Sequence, residues 1–138
     1  MKMVRALIPF LLALALHAGE YVVAVSPAST IERLSAHTVA SLYLDKRRSL
    51  GGYRVVLLNL PLDDAIRRSF EKRVLKISRR ELERYWLRAH FRGHQPPKVL
   101  KSQEAVARFI EKIPHAIGYM ERSVAKKHGL KIVLTWSP

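Results

Sequence analysis

Residues 53–70 read YRVVLLNLPLDDAIRRSF, and this stretch decides the fold. Val55-Val56-Leu57-Leu58 is an unbroken aliphatic, β-branched run of strand length, the pattern of a strand buried on both faces of a sheet. Pro61 ends it, because proline cannot donate to a strand ladder. Asp63 or Asp64 then offers a carboxylate to the free N–H groups of a helix start. Ile66, Phe70 and Val74 recur at helical spacing, which predicts one buried stripe on a helix running to about Leu75. A buried strand feeding a helix through a short turn is the building unit of a layered α/β fold.

Working outward, the same alternation repeats. Toward the N-terminus, residues 21–25 (YVVAV) form an apolar strand broken by Ser26-Pro27-Ala28-Ser29-Thr30. Ser35 is placed to cap a short helix over 37–44, with Val39, Leu42 and Tyr43 on one face. A basic turn over 46–52 ends in Gly51-Gly52. Toward the C-terminus, Ser78 and Glu81 make a capping box opening a helix to about Phe91, with Leu82, Tyr85, Trp86 and Ala89 inward. Tyr85, Trp86, Phe70 and Phe109 all fall at core spacing. Gly93 and Pro96-Pro97 force a loop, and Ser102 caps a helix carrying Val106, Phe109 and Ile110 that stops at Pro114. Residues 116–120 form a strand, 124–128 a short helix, and 131–135 a last strand. With no repeat, low-complexity tract or linker, this predicts an α/β fold: a single three-layer lobe with a mixed or parallel sheet.

The first eighteen residues read differently. Lys2 and Arg5 precede an apolar run from Ala6 to Leu16, followed by small residues, the order of a secretory signal cut after Ala18. The run is shorter than the roughly 20 residues of a membrane-spanning helix. The expectation is a signal peptide over 1–18, a lobe over 19–138, and a periplasmic or other extracytoplasmic location. The chain has 25 Lys and Arg against 11 Asp and Glu, a formal net charge of +14. Without Lys2 and Arg5 the balance is 23 to 11, or +12. Such a surface attracts anions, and export together with the lack of aromatics interleaved in basic strands argues against nucleic acid. There is no cysteine, so thiolate catalysis and disulfides are excluded.

In their order, several short motifs resemble the phosphate ABC transporter substrate-binding proteins, specifically short, single-lobe members of that superfamily. They are Leu34-Ser35; Leu42-Tyr43-Leu44-Asp45-Lys46, similar to the family's IFLGK; Arg67-x-x-Phe70 with Val74-Leu75; Tyr85-Trp86; Phe91-Arg92-Gly93 with Pro96-Pro97; and Ala116-Ile117-Gly118-Tyr119, similar to GAIGY. The resemblance covers nearly all of residues 21–120. It implies one lobe of a type II periplasmic binding protein, whereas full-length relatives close two lobes on the anion. It also implies an anion site at a Ser-Gly-Thr turn opening a helix. That turn falls here on Asp64-Ala65-Ile66, where a carboxylate and an alkyl chain replace the hydroxyls and Asp63 sits next door. A carboxylate uses the same N–H donors as a bound anion and repels a dianion by several kcal/mol near a protein surface. Arg67 and Arg68, one turn on, are the residues that could offset it.

Arg80, Arg84 and Arg88 recur every fourth residue opposite the apolar face and extend to Arg92, giving a basic ridge that suits an acidic envelope protein or an anionic surface. A solvated face of an amphipathic helix accounts for the same spacing. His90 and His94 lack a third ligand, so no metal site is assigned. No nucleophile elbow or acid–base pair stands out, and no catalytic residue or cofactor is expected. The sequence therefore supports a non-catalytic, phosphate-binding-protein-like domain that docks onto a partner. The alternative is a phosphate-binding protein feeding an ABC transporter, with inorganic phosphate as ligand and a second copy completing a two-lobed site.

Overall fold

A computed structural model describes residues 20–138; the expected signal peptide lies outside the described residues. Among the described residues, seven strands and five α-helices follow one another: β1 (Tyr21–Val25), α1 (Ala36–Tyr43), β2 (Ser49–Leu50), β3 (Tyr53–Arg54), β4 (Val56–Asn59), α2 (Ala65–Phe70), α3 (Arg79–His90), β5 (Lys98–Val99), α4 (Gln103–Lys112), β6 (Ala116–Glu121), α5 (Arg122–Lys127) and β7 (Lys131–Trp136). The main sheet has the order β5-β4-β6-β1-β7. It is mixed: β4 runs parallel to β5 and β6, while β1 lies antiparallel to both β6 and β7.

The layers follow from alternation along β6, which is buried on both faces. Tyr119 points to one side, where its ring stacks on Phe70 of α2 at 4.0 Å and meets Tyr43 of α1. Gly118 points to the other, against α4. A Cβ there would lie 2.4 Å from Val106 Cγ1, so only glycine lets α4 sit this close. Helices thus cover both faces, as the three-layer expectation required.

The helix starts obey the capping chemistry of the sequence. Ser35, Ser78 and Ser102 each accept a hydrogen bond from the backbone N–H three residues on. The Ser78 hydroxyl also donates to Glu81 Oε1 at 3.1 Å. Beyond Phe70 the α2 segment continues as a wider π-helical stretch over Glu71–Leu75, keeping Val74 in the core, and stops at Lys76, whose φ of 54° cannot propagate a helix.

Three expectations need correction. The basic turn is the start of a small hairpin, β2–β3, closed by Gly51 and Gly52 at positive φ, the pairing that favours a tight two-residue loop. β4 is not buried on both faces: Leu58 is fully buried, Leu57 only partly and Val56 is exposed, because no packing layer covers Val56. Tyr85, Trp86 and Phe109 are half-buried rather than core. α3 packs on the lobe through Leu82 and Ala89, which leaves the two aromatics on its flank.

Candidate anion and docking site

The parallel part of the sheet ends at Asn59 and Leu60, and α2 begins five residues later. Ligands in α/β folds collect outside such carboxyl ends. Here the ground is already occupied from within. Asp64, extended as an N-cap residue, accepts hydrogen bonds from Ile66 N at 2.7 Å and Arg67 N at 3.4 Å. Those are the donors an anion would use.

Arg67 is turned inward as well. Its Nη1 donates to Leu60 O at 2.8 Å and its Nε to Glu71 Oε2 at 3.0 Å. Glu71 is only 5% exposed, and its other oxygen accepts from Arg79 Nε at 3.1 Å. Two arginines thus bracket one buried carboxylate, with a net charge of +1. A carboxylate this deep persists only when paired. Arg79 Nη2 lies 3.0 Å from Glu71 Oε1, but off the hydrogen-bonding line. It is buried and has no hydrogen-bond partner among the described residues.

Of the residues expected at the anion turn, the fold brings Asp64 and Arg67 together at the helix start. Ala65 and Arg68 are exposed, and Ile66 is buried in the core. Behind them, Tyr119 Oη donates to Asn59 Oδ1 and accepts from Leu60 N at 3.3 Å. Burial raises the Tyr119 pKa well above the phenol range, and burial does the same to Tyr43, whose Oη donates to Leu58 O at 2.7 Å. Both hydroxyls stay protonated and act as struts. Glu71, Arg79 and the Asn59–Tyr119 pair escaped the sequence reading. The four-residue spacing of Arg67 and Glu71 was the one signal available for them; Arg79 reaches Glu71 across a loop that no periodicity predicts.

Beside the triad opens a crevice of about 440 Å3. Phe70, Leu75 and Leu82 line its deeper part, Trp86 and Pro97 its walls, and Leu62, Leu87 and Val99 its exposed rim. Outside it, α3 carries the basic ridge. Arg80, Arg84, Arg88 and Arg92 are all exposed, and among the described residues none forms an ion pair. Leu87 is 64% exposed and Phe91 83%. Positions 84, 87, 88 and 91 share one helical face, so the two large apolar side chains alternate with two unpaired arginines. His90 and His94 do not converge: His94 Nδ1 sits 2.7 Å from Asp45 Oδ2. Among the described residues no three His, Asp or Glu cluster as metal ligands, and no helix is long and apolar enough to cross a membrane.

No protein-family model matches the sequence, nor does any curated protein. The fold, by contrast, has clear relatives among solved structures. It superposes on an ABC-type phosphate transport receptor from Vibrio cholerae with a TM-score of 0.65 and 14% identity, covering 83% of this chain and 46% of the receptor. A phosphate ABC transporter substrate-binding protein from Clostridium perfringens, solved with bound phosphate, gives 0.66 and 14%, covering 83% of this chain and 45% of the other. PstS from Borrelia burgdorferi gives 0.63 and 19%, covering 94% and 54%. This chain spans about half the length of these structures. The resemblance read from the ordered motifs is thereby matched in three dimensions, and the chain has the fold of one lobe of a phosphate ABC transporter substrate-binding protein.

Proposed function

We propose that this protein is a non-catalytic, extracytoplasmic lobe of the phosphate-receptor fold whose anion turn is closed and whose role is to dock onto an acidic partner in the cell envelope. The observation that carries the reading is the α3 face. Leu87 and Phe91 stand in solvent, alternating along the face with Arg84 and Arg88, which have no ion-pair partner among the described residues. Large apolar groups flanked by cations suit an interface core with a charged rim. The closed turn supports the same reading, because Asp64 and the paired Arg67 leave no free donor set for a phosphate at the start of α2.

The test is charge reversal with Arg84→Glu and Arg88→Glu together, reading partner co-purification from envelope extracts alongside thermal stability. Loss of co-purification with an unchanged midpoint is expected; retention of the partner would refute the docking face. A second reading, a phosphate receptor for an ABC transporter, draws on the fold shared with a structure holding phosphate. Phosphate at 100 times its dissociation constant would stabilise the protein by about 2.7 kcal/mol. A shift in melting temperature with phosphate, but not with sulfate or chloride at matched ionic strength, would favour that reading over the first.

A further inference from the structure

We infer that the hollow between the β2–β3 hairpin and residues 95–98 binds a compact tetrahedral dianion, sulfate and hydrogenphosphate alike, on the guanidinium groups of Arg47, Arg48 and Arg54. The site shares no residue with the α3 docking face or with the start of α2, so the inference goes beyond the docking reading.

The hollow is built by one reversal of the chain. Asp45, at a φ of 56°, turns the backbone out of α1, and the hairpin that follows pairs Ser49 with Arg54. Val55 N donates to Arg48 O at 3.0 Å, which returns Arg54 beside Arg47 and Arg48. All three line a cavity of about 200 Å3 whose apolar wall includes Leu42, Leu57 and Pro97. That is smaller than the roughly 300–1,000 Å3 of sites for drug-sized molecules, so it suits a compact ligand.

The charge of the lining is one-sided. Three arginines stand against one carboxylate, Asp45, an excess of +2. Lys98 is left out of this balance, because its ammonium lies over the Phe109 ring, 5.5 Å from the centroid, on the α4 side of the sheet. Asp45 is fully engaged: Oδ1 accepts from Arg48 Nε at 2.9 Å, while Oδ2 accepts from Arg48 Nη2 at 3.1 Å and lies 2.7 Å from His94 Nδ1. This fork holds the Arg48 guanidinium in one orientation. Arg47 Nε donates to Ser49 O at 3.0 Å, which leaves its two terminal nitrogens for a ligand. Neither Arg47 nor Arg54 forms an ion pair among the described residues. Guanidinium forks match the oxygens of a tetrahedral anion, and an excess of two charges matches a dianion.

The same donors set the selectivity. Hydrogenphosphate carries an O–H that needs an acceptor, and the one carboxylate of the lining is taken. The carbonyls of Ala40, Ser41 and Leu42 at the end of α1 already accept from the N–H groups of Leu44, Lys46, Arg47 and Asp45. The Gln95 amide, also on the lining, serves either anion by turning its N or its O inward. Nothing in the hollow therefore rewards the phosphate proton, the opposite of a phosphate-specific receptor.

Calorimetry on the full chain, in mildly alkaline buffer with chloride balancing the ionic strength, tests this with sulfate, phosphate and methyl sulfate. One site is expected, with sulfate and phosphate within about threefold of each other. Methyl sulfate, which keeps the tetrahedral oxygens but only one charge, should bind at least about tenfold more weakly. Arg54→Gln, at an exposed hairpin position, should weaken sulfate by about tenfold, the loss of one charge-assisted hydrogen bond, with the melting midpoint unchanged in chloride. Glycerol 3-phosphate separates two sources of the dianion: binding as tight as phosphate assigns the site to an ester group whose remainder lies in solvent, and weaker binding assigns it to the free ion. No saturable binding, methyl sulfate equal to sulfate, or an Arg54→Gln protein with parental affinity would each overturn the inference. Phosphate binding without sulfate binding would overturn it too. Arg84→Glu with Arg88→Glu should leave sulfate binding intact, so failure of the docking reading and failure of this one are told apart.

Discussion

Arg79 and Arg80 are consecutive residues on α3 with opposite fates. Arg79 folds back onto the buried Glu71 carboxylate, while Arg80 starts a row of exposed cations without ion pairs among the described residues. The chain's net charge of +14 says nothing of this division. A cation facing a desolvated carboxylate is a structural part, and losing its partner strands charge in a poor dielectric. A cation on the outer helix face is solvated and contributes little to stability. What the contrast teaches is that a basic protein's interaction surface is found by asking which cations remain after internal pairing.

The sharpest way to break this contrast is Glu71→Gln. It strands Arg67 and Arg79 and should cost about 3 kcal/mol, read as a fall in melting temperature of roughly 10 °C. Arg84→Gln with Arg88→Gln should stay within about 0.5 kcal/mol of the parent. Equal effects would dissolve the distinction. Gly118→Ala acts on neither region. Its methyl would crowd Val106 and should cost about 1–3 kcal/mol by overpacking, while partner binding through α3 per folded molecule stays unchanged.

Smaller effects sharpen the picture. Asp64→Ala should cost about 1 kcal/mol as a lost helix cap, measured by urea denaturation, and phosphate should not restore it. Restoration would mean that the turn still accepts an anion once the internal carboxylate is gone. The smallest effect concerns His128, whose Nε2 lies 2.7 Å from Glu104 Oε2 and whose Nδ1 contacts Glu111. The hydrogen bond to Glu104, seconded by that to Glu111, raises the His128 pKa above the ordinary imidazole value of about 6.5. Its contribution is therefore full below that value and is lost as pH rises through the elevated folded-state pKa. The melting temperature should decline across that window, and His128→Gln should flatten the decline.

Much of the fold was legible because it rests on local chemistry. Ser35, Asp64, Ser78 and Ser102 cap helices where their spacing to an apolar stripe placed them, and the strands over 21–25 and 116–120 were unmixed apolar runs. What escaped depends on distant partners. β5 is two residues long and exists only because β4 lies beside it. Val56 carries the same side chain as a buried strand residue but has no layer over it. Trp86 and Tyr85 obey the core periodicity of α3, yet the helix meets the lobe along a narrower stripe. At the candidate site, Asp64 could be read as a cap that displaces an anion. The triad could not, since Glu71 and Arg79 meet across the turn after Lys76.

The sheet order also governs when the molecule can form. β1 is the first strand of the described residues, yet both its neighbours come from the final stretch: Val25 pairs with Ile117 on one side and Lys131 on the other. Until those residues are present, the most apolar strand of the chain has no ladder to join, and every contact that completes it spans nearly the full sequence. Non-local pairing of this kind makes folding slow. The β4–α2 unit can assemble early around its own caps, whereas the centre of the sheet closes last. A chain emerging in order from a ribosome or a membrane channel would carry an unsatisfied β1 until residues 116–136 are free.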